Sequence, residues 1–378
     1  MLHNAPIVLD NGSSLLKAGF AMEPRPRAVV PALVARPKYV NIFNQIHTDP
    51  LYIGQNAIDM RGVCKLNHPM EYGLIKNLDE LHMLWNHVLN DQLMVDPKEH
   101  GILVTEMTAA PPVNRELLAH LLFECLEVPA AYICYQSILA LYASARTTGL
   151  VIECGEAATC VTPVYDSFHI RAATCSHPVA GRMITNYFKS LLTEVGCRLQ
   201  TSAEIEIARE MKEKLCFVSP DFKSECDMYV RTAMQDITES YRLPDGRTLN
   251  LTSQHFRAPE LLFQPKWLGF DHPGLSDIVR LSVNLCPKDL RKDLLGNITL
   301  SGGTTLLDGF TERLQRDLQP CGSPNVPVNI SAPPGRINTV WIGGSILASL
   351  ESFRPLWITK EQYYEVGPRV LQLYHDCF

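Results

Sequence analysis

Apolar and polar positions along this chain follow two periods. Residues 6–9 (PIVL) and 149–152 (GLVI) are short apolar runs that end in an acid, Asp10 and Glu153, and predict buried strands. After Asn77, the residues Leu78, Leu81, Leu84, Trp85, Val88 and Leu89 recur at helical spacing. Acidic residues fill the first turn of that helix, where its dipole favours negative charge. Similar amphipathic helices are predicted over 115–126, 183–194, 203–217 and 307–318. Strands and helices mixed at this spacing, with no low-complexity linker between them, imply an α/β fold.

One pattern goes beyond fold class. An apolar strand, an acid, a small turn and a return strand occur at 7–20 (IVLDNGSSLLKAGF) and again at 150–165 (LVIECGEAATCVTPVY). Two such hairpins imply a duplicated fold with an acid from each half facing a shared cleft. A third element, NITLSGGTTLLDGF at 297–310, is a strand that ends in Gly302-Gly303 before Thr304-Thr305 open a helix. Backbone N–H groups at such turns attract anions or nucleotide oxygens. Each glycine turn alone reads more readily as structural, but three on one chain point to a nucleotide cleft.

Composition narrows the class without changing this picture. The 378 residues are enough for two domains, each with its own core, and 46% hydrophobic with 20% charged residues is ordinary for a globular chain. A net charge of −6 argues against nucleic acid as the main partner. The 12 cysteines are scattered without a CxxC pair, which predicts buried free thiols in a reducing compartment rather than a zinc site or a disulfide framework. MLHNAPIVLDNG lacks the basic and apolar regions of a signal peptide, and no stretch is apolar for long enough to span a membrane. The sequons at Asn250, Asn297 and Asn329 are then expected to be chance.

DNGSSLLKAGF, ALYASARTTGL, MKEKLCFV, YRLPDG, LSGGTTLLDGF and TVWIGGSILASL together resemble actin and the actin-related proteins, over essentially the whole chain to Cys377-Phe378. The resemblance implies the four-subdomain fold shared with sugar kinases and the 70-kDa heat-shock ATPases, with two similar domains around a nucleotide cleft. Residues 1–142 and 340–378 would form the outer, small domain, with 32–68 as its subdomain 2. Residues 143–339 would form the inner, large domain, with about 181–272 as its subdomain 4. The departures suggest an actin-related protein rather than a conventional actin, closest in flavour to the testis and sperm-head group.

Carried over by position, the resemblance implies a site for ATP or ADP with Mg2+ or Ca2+. Asp10 would face the metal and Lys17 the phosphates, with Gly12, Ser13, Ser14 and the hairpin amides around them. Gly155 and Thr159 match the second phosphate hairpin, and Glu153 stands in place of an aspartate facing the metal through water. Gln136 matches the glutamine that orients the attacking water. Ser14 and Ala157 replace glycines, at a cost on the order of 1 kcal/mol each if φ there is positive. Arg209, Lys212 and Glu213 match the nucleotide-contacting helix, and Gly181, Gly302 and Gly303 let a nucleoside lie close. Leu307 and Ile337 stand where the family offers an aromatic ring and a lysine, which weakens the expected affinity. The blander readings are a turn-forming Asp10, a solvated Lys17 and an ordinary charged helix face.

Cys160 takes the place of a histidine that in the family helps order and deprotonate the lytic water. Binding without hydrolysis is therefore expected. The loop at 39–51 matches the one actin lays on its filament neighbour but is more polar, and 263–274 matches an apolar plug tipped by Trp267, Leu268 and Phe270. Those aromatics read alternatively as packing on their own domain. The matched region at 221–241 is slightly longer than in the family, which together with the polar loop argues against a long homopolymer. Tyr142, Ala145, Thr147, Leu347 and Leu350 match the cleft where actin-binding helices dock, narrowed by Ala145 and Ser167 in place of glycines. Tyr72 replaces actin's modified histidine. The expectation is a cytoskeletal, cytoplasmic protein that acts through protein contacts. An active ATPase that joins filaments and a nuclear chromatin-remodelling subunit are the competing readings.

Overall fold

The computed structural model describes residues 4–38, 51–231, 239–319 and 327–373. Most of the loop at 39–51, part of the 221–241 region and Cys377-Phe378 lie outside the described residues. Two sheets organise the chain, and they are built alike. In the first, the strand Ile7–Asn11 pairs antiparallel with Leu15–Phe20 and parallel with Ile102–Glu106, which pairs parallel with Ala130–Tyr135. In the second, Gly149–Cys154 pairs antiparallel with Thr159–Tyr165 and parallel with Ile298–Ser301, which pairs parallel with Ile330–Ser331. The duplication expected from the two hairpins is thus present strand for strand.

Each sheet carries its own core. Ile7, Leu9, Leu81, Leu84, Trp85 and Phe123 bury one face of the first sheet, and Leu150, Ile152, Phe188, Met211 and Phe310 one face of the second. A third cluster joins the two, taking Val8 and Leu103 from the first sheet and Val151 and Val164 from the second. Two crossing helices, Gln136–Tyr142 and Thr339–Ser349, fill this middle layer. They approach so closely that a Cβ on Gly343 would lie 1.8 Å from the Leu139 carbonyl oxygen, so no larger residue fits there. Trp341 Nε1 donates to the Val8 carbonyl at 3.0 Å and ties the second helix to the first sheet.

The helices form where the pattern placed them, with shifted ends. Asn77 caps the helix Leu78–Asn86 by accepting from the Glu80 N–H at 3.1 Å. The helix expected over 115–126 begins earlier, at Pro112, because proline suits the first turn, and its last turn loosens into a π-helix. The helix expected from 307 begins only at Phe310, after Gly309 at φ +74°, so Leu307 sits in the preceding turn. Thr201 and Glu204 close a capping box at the start of Ser202–Leu215. Among the described residues no helix is long and apolar enough to cross a membrane, every cysteine is free, and no cluster could hold a metal by His, Cys, Asp and Glu alone.

Candidate functional site

The two hairpins face each other across a cavity of about 500 Å³. In the first, Asp10 pairs with Lys17 across the strands, and Lys17 Nζ sits 2.7 Å from Asp10 Oδ2. In the second, Glu153 holds the place of Asp10 and pairs with Cys160, which holds the place of Lys17. The acid of the second hairpin therefore lacks the cation that neutralises the first. Glu153 Oε2 is buried with no hydrogen-bond partner. Burial, and then the negative charge of Asp10, push the Glu153 acid up to about 8. Burial, and then Glu153, push the Cys160 thiol up to about 12.

Of the residues singled out from the sequence, Asp10, Gly12, Ser13, Ser14, Lys17, Gln136, Glu153, Gly155, Arg209, Lys212, Glu213, Gly302, Gly303, Leu307 and Ile337 all line this cavity. Thr159 and Gly181 do not. Thr159 follows the turn with its hydroxyl pointed away, donating to the Val179 carbonyl at 2.7 Å. Gly181 lies behind the second hairpin, where an added Cβ would meet Glu156 Oε2 at 2.7 Å. It lets the hairpin sit against the helix Gly181–Leu191. Neither Ser14 nor Ala157 has a positive φ, so replacing glycine strains the backbone at neither. Gly302 does, at φ +93°, with a Cβ position 2.4 Å from the Cys154 carbonyl oxygen.

The charged helix face is more tied down than its sequence suggests. Arg209 donates to Glu206 at 2.7 Å and to Ser14 Oγ at 3.3 Å, which links it to the opposite hairpin. Lys212 is buried and donates to the Gly181 carbonyl at 3.2 Å. Glu156 was missed in the sequence. It lines the cavity three residues after Glu153 and sits 3.9 Å from Lys212 and 3.9 Å from Arg182. Burial raises its acid while Lys212 and Arg182 oppose that rise. A second acid inside the hairpin turn was the available signal. Thr105 and Glu106 also line the cavity without having been expected; Glu106 is held by Arg115 at 2.7 Å and Asn114 at 3.0 Å.

Side-chain contacts also join the two halves. Arg61 meets Glu210 at 2.8 Å, and Glu71 meets Arg182 at 3.4 Å, with the Tyr72 ring 5.9 Å from the same guanidinium. Behind the cavity, Tyr135 and His169 pack edge to face at 4.7 Å. Tyr142, Ala145, Thr147, Leu347 and Leu350 fall in the region where the two halves join. Ala145 at φ +54° and Ser167 at φ +69° adopt the left-handed conformation there despite carrying side chains. Leu350, Tyr165 and Phe168 stay exposed nearby. The tip at Trp267 and Leu268 is also exposed, yet Trp267 packs on Phe222 at 4.9 Å, so the apolar loop rests partly on its own half.

The donor set has the chemistry of a cation–phosphate site. Two carboxylates converge, one with a buried oxygen lacking a partner, beside a lysine and two glycine-bearing turns. Leu306, Leu307, Ile337 and Val340 add apolar surface to the lining. Among the described residues no histidine lines the cavity. The family model described as Actin matches residues 1–376, which takes in both hairpins, the cavity between them and the helices that join the halves. With that match and this duplicated architecture, the chain belongs to the actin family and has the actin-like fold.

Proposed function

We propose that this chain holds ATP or ADP with a divalent cation as part of its structure, hydrolyses it negligibly, and works through contacts with other proteins. The observation that carries the reading is the register of the second hairpin, where a neutral thiol, Cys160, stands opposite Glu153 in a cavity that no histidine lines among the described residues. Gln136 reaches the site and can orient a water, but an amide takes no proton. Loss of a positioned acid–base group typically costs about 10²–10⁴ in rate.

In this reading Asp10 and Glu153 face the cation through water, and Lys17 with the amides of Gly12, Ser13, Ser14 and Gly155 holds the phosphates. Arg209, Lys212, Glu213, Gly302, Gly303, Leu307 and Ile337 flank the nucleoside. The cation's part is to neutralise the phosphate charge and the two carboxylates. We read residues 1–142 with 340–378 as the outer domain and 143–339 as the inner one, the cavity lying between them. Partner proteins would engage the surface of Tyr142, Ala145, Thr147, Leu347 and Leu350. The docked Trp267 favours stoichiometric use in a mixed assembly over a long homopolymer. The family supports a cytoskeletal place, which we read as cytoplasmic.

Purified protein denatured in acid should release an adenine nucleotide, and Mg-ATP should raise its melting temperature by mass action. No release and no shift would refute nucleotide binding. Regular filaments of the pure protein in electron micrographs would refute the non-polymerising part.

A further inference from the structure

We propose that Thr105 is the residue that positions the cation-facing carboxylate of this cavity; the inference rests on the nucleotide reading above. Thr105 is 1% exposed, at the end of the strand next to Asp10. Its hydroxyl donates to Asp10 Oδ1 at 2.9 Å, accepts from the Asn11 N–H at 3.1 Å, and accepts from Gln136 Nε2 at 3.3 Å. A hydroxyl has one proton and two lone pairs, so every bond it can make is made. Those three bonds join the acid, the last amide of the strand Ile7–Asn11 and the glutamine at the start of the middle helix.

The effect on Asp10 is specific. Oδ1 is held by Thr105, with Gln136 Nε2 at 3.4 Å, while Oδ2 is held by Lys17 at 2.7 Å. Both oxygens are engaged, so the carboxylate plane is fixed before any ligand arrives, and few lone pairs remain to bind a cation directly. The duplicated half supplies a built-in comparison. There, Ser301 pairs with Glu153 in the neighbouring parallel strand, the place corresponding to Thr105 beside Asp10. Yet Glu153 Oε2 has no partner. One half thus presents a carboxylate held on both oxygens, Oδ1 by the Thr105 hydroxyl and Oδ2 by Lys17, while in the other Cys160 replaces the lysine and Glu153 Oε2 stays unheld.

Outer groups that orient a cation's ligands are worth about 10- to 100-fold in metal affinity or activity. Thr105→Val keeps the shape and removes the hydroxyl; Thr105→Ser keeps the hydroxyl. The test is the dissociation constant of a fluorescent ATP analogue for the full chain, with millimolar Mg2+ and with EDTA. Thr105→Val should weaken Mg2+-dependent binding by about tenfold or more while Thr105→Ser stays near wild type. The two proteins should differ little in EDTA, which a loss of general stability would not produce. If Thr105→Val does not fold by circular dichroism, Thr105→Ala, which also removes the hydroxyl, replaces it. Binding by wild type with equal Mg2+-dependent affinity in the variant overturns the positioning role alone. Equal losses in Mg2+ and EDTA overturn it also. No binding by wild type overturns the nucleotide reading and the role with it.

Discussion

Cutting the ties across the cavity should speed nucleotide release, and the structure sets the size of the effect. Arg61 and Glu210 join the halves at 2.8 Å with side chains 24% and 35% exposed. Partly screened pairs of this kind contribute about 0.2–1 kcal/mol, so Arg61→Ala should raise the release rate no more than about fivefold. Arg182 does more. Across the cavity it meets Glu71 at 3.4 Å, with the Tyr72 ring 5.9 Å away. Adding about 0.5–1 kcal/mol for the ring contact to the one ion pair gives Arg182→Leu about a tenfold faster release. The assay is displacement of a fluorescent ATP analogue by excess ATP, followed at low and high salt. Because the ties are electrostatic, wild-type release should quicken with salt and the variants should respond less. An Arg61→Ala, Glu210→Ala double variant should release no faster than the worse single. Unchanged rates in both single variants, with no salt dependence in wild type, would refute the reasoning.

Two further outcomes follow from buried charge and one from left-handed backbone. Arg313 meets Glu260 through two hydrogen bonds, at 2.8 and 2.9 Å, and also holds Asp317 at 3.0 Å. Removing one partner of such a pair costs about 3–5 kcal/mol, so Arg313→Met should lower the urea midpoint sharply, whereas Arg313→Met with Glu260→Leu should recover part of it. Burial, followed by the charge of Arg182, lowers His68 to about 4. The unfolded chain then takes up a proton near pH 6.5 that the folded chain refuses. Stability should therefore fall between about pH 6.5 and 4, by about 3 kcal/mol at most, and His68→Gln should flatten that stretch of the urea-midpoint profile. Ala145 at φ +54° carries a left-handed cost of about 1–2 kcal/mol, partly offset by the extra freedom glycine has when unfolded. Ala145→Gly should raise the melting temperature slightly. Ser167→Gly should gain less, since the Ser167 side chain bonds Tyr142.

The duplicated core was legible in the sequence because each hairpin repeats an apolar strand, an acid and a small turn, and strand registers follow from that spacing. Asp10 against Lys17 and Glu153 against Cys160 could be read in that way. What the sequence hid was side-chain direction. Thr159 resembles a phosphate contact by position, but its hydroxyl turns to the Val179 carbonyl. Gly181 resembles a nucleoside contact, and it also makes room for its own hairpin, which its position in the sequence does not show. Thr105 gave no signal because its partners lie on two other segments, as much as 95 residues away. The strain expected at Ser14 and Ala157 is absent, and left-handed backbone falls instead at Ala145 and Ser167, where glycines were also expected. Backbone conformation at a replaced glycine depends on the turn around it, which composition does not reveal.

The central claim is that this cavity holds a nucleotide without splitting it. Single-turnover release of phosphate from bound ATP tests it most directly, in wild type and in a Cys160→His, Glu153→Asp double variant. Wild type should release phosphate negligibly, with or without partner proteins, and the double variant should release it faster. A wild-type rate matching that of filamentous actin would contradict the account.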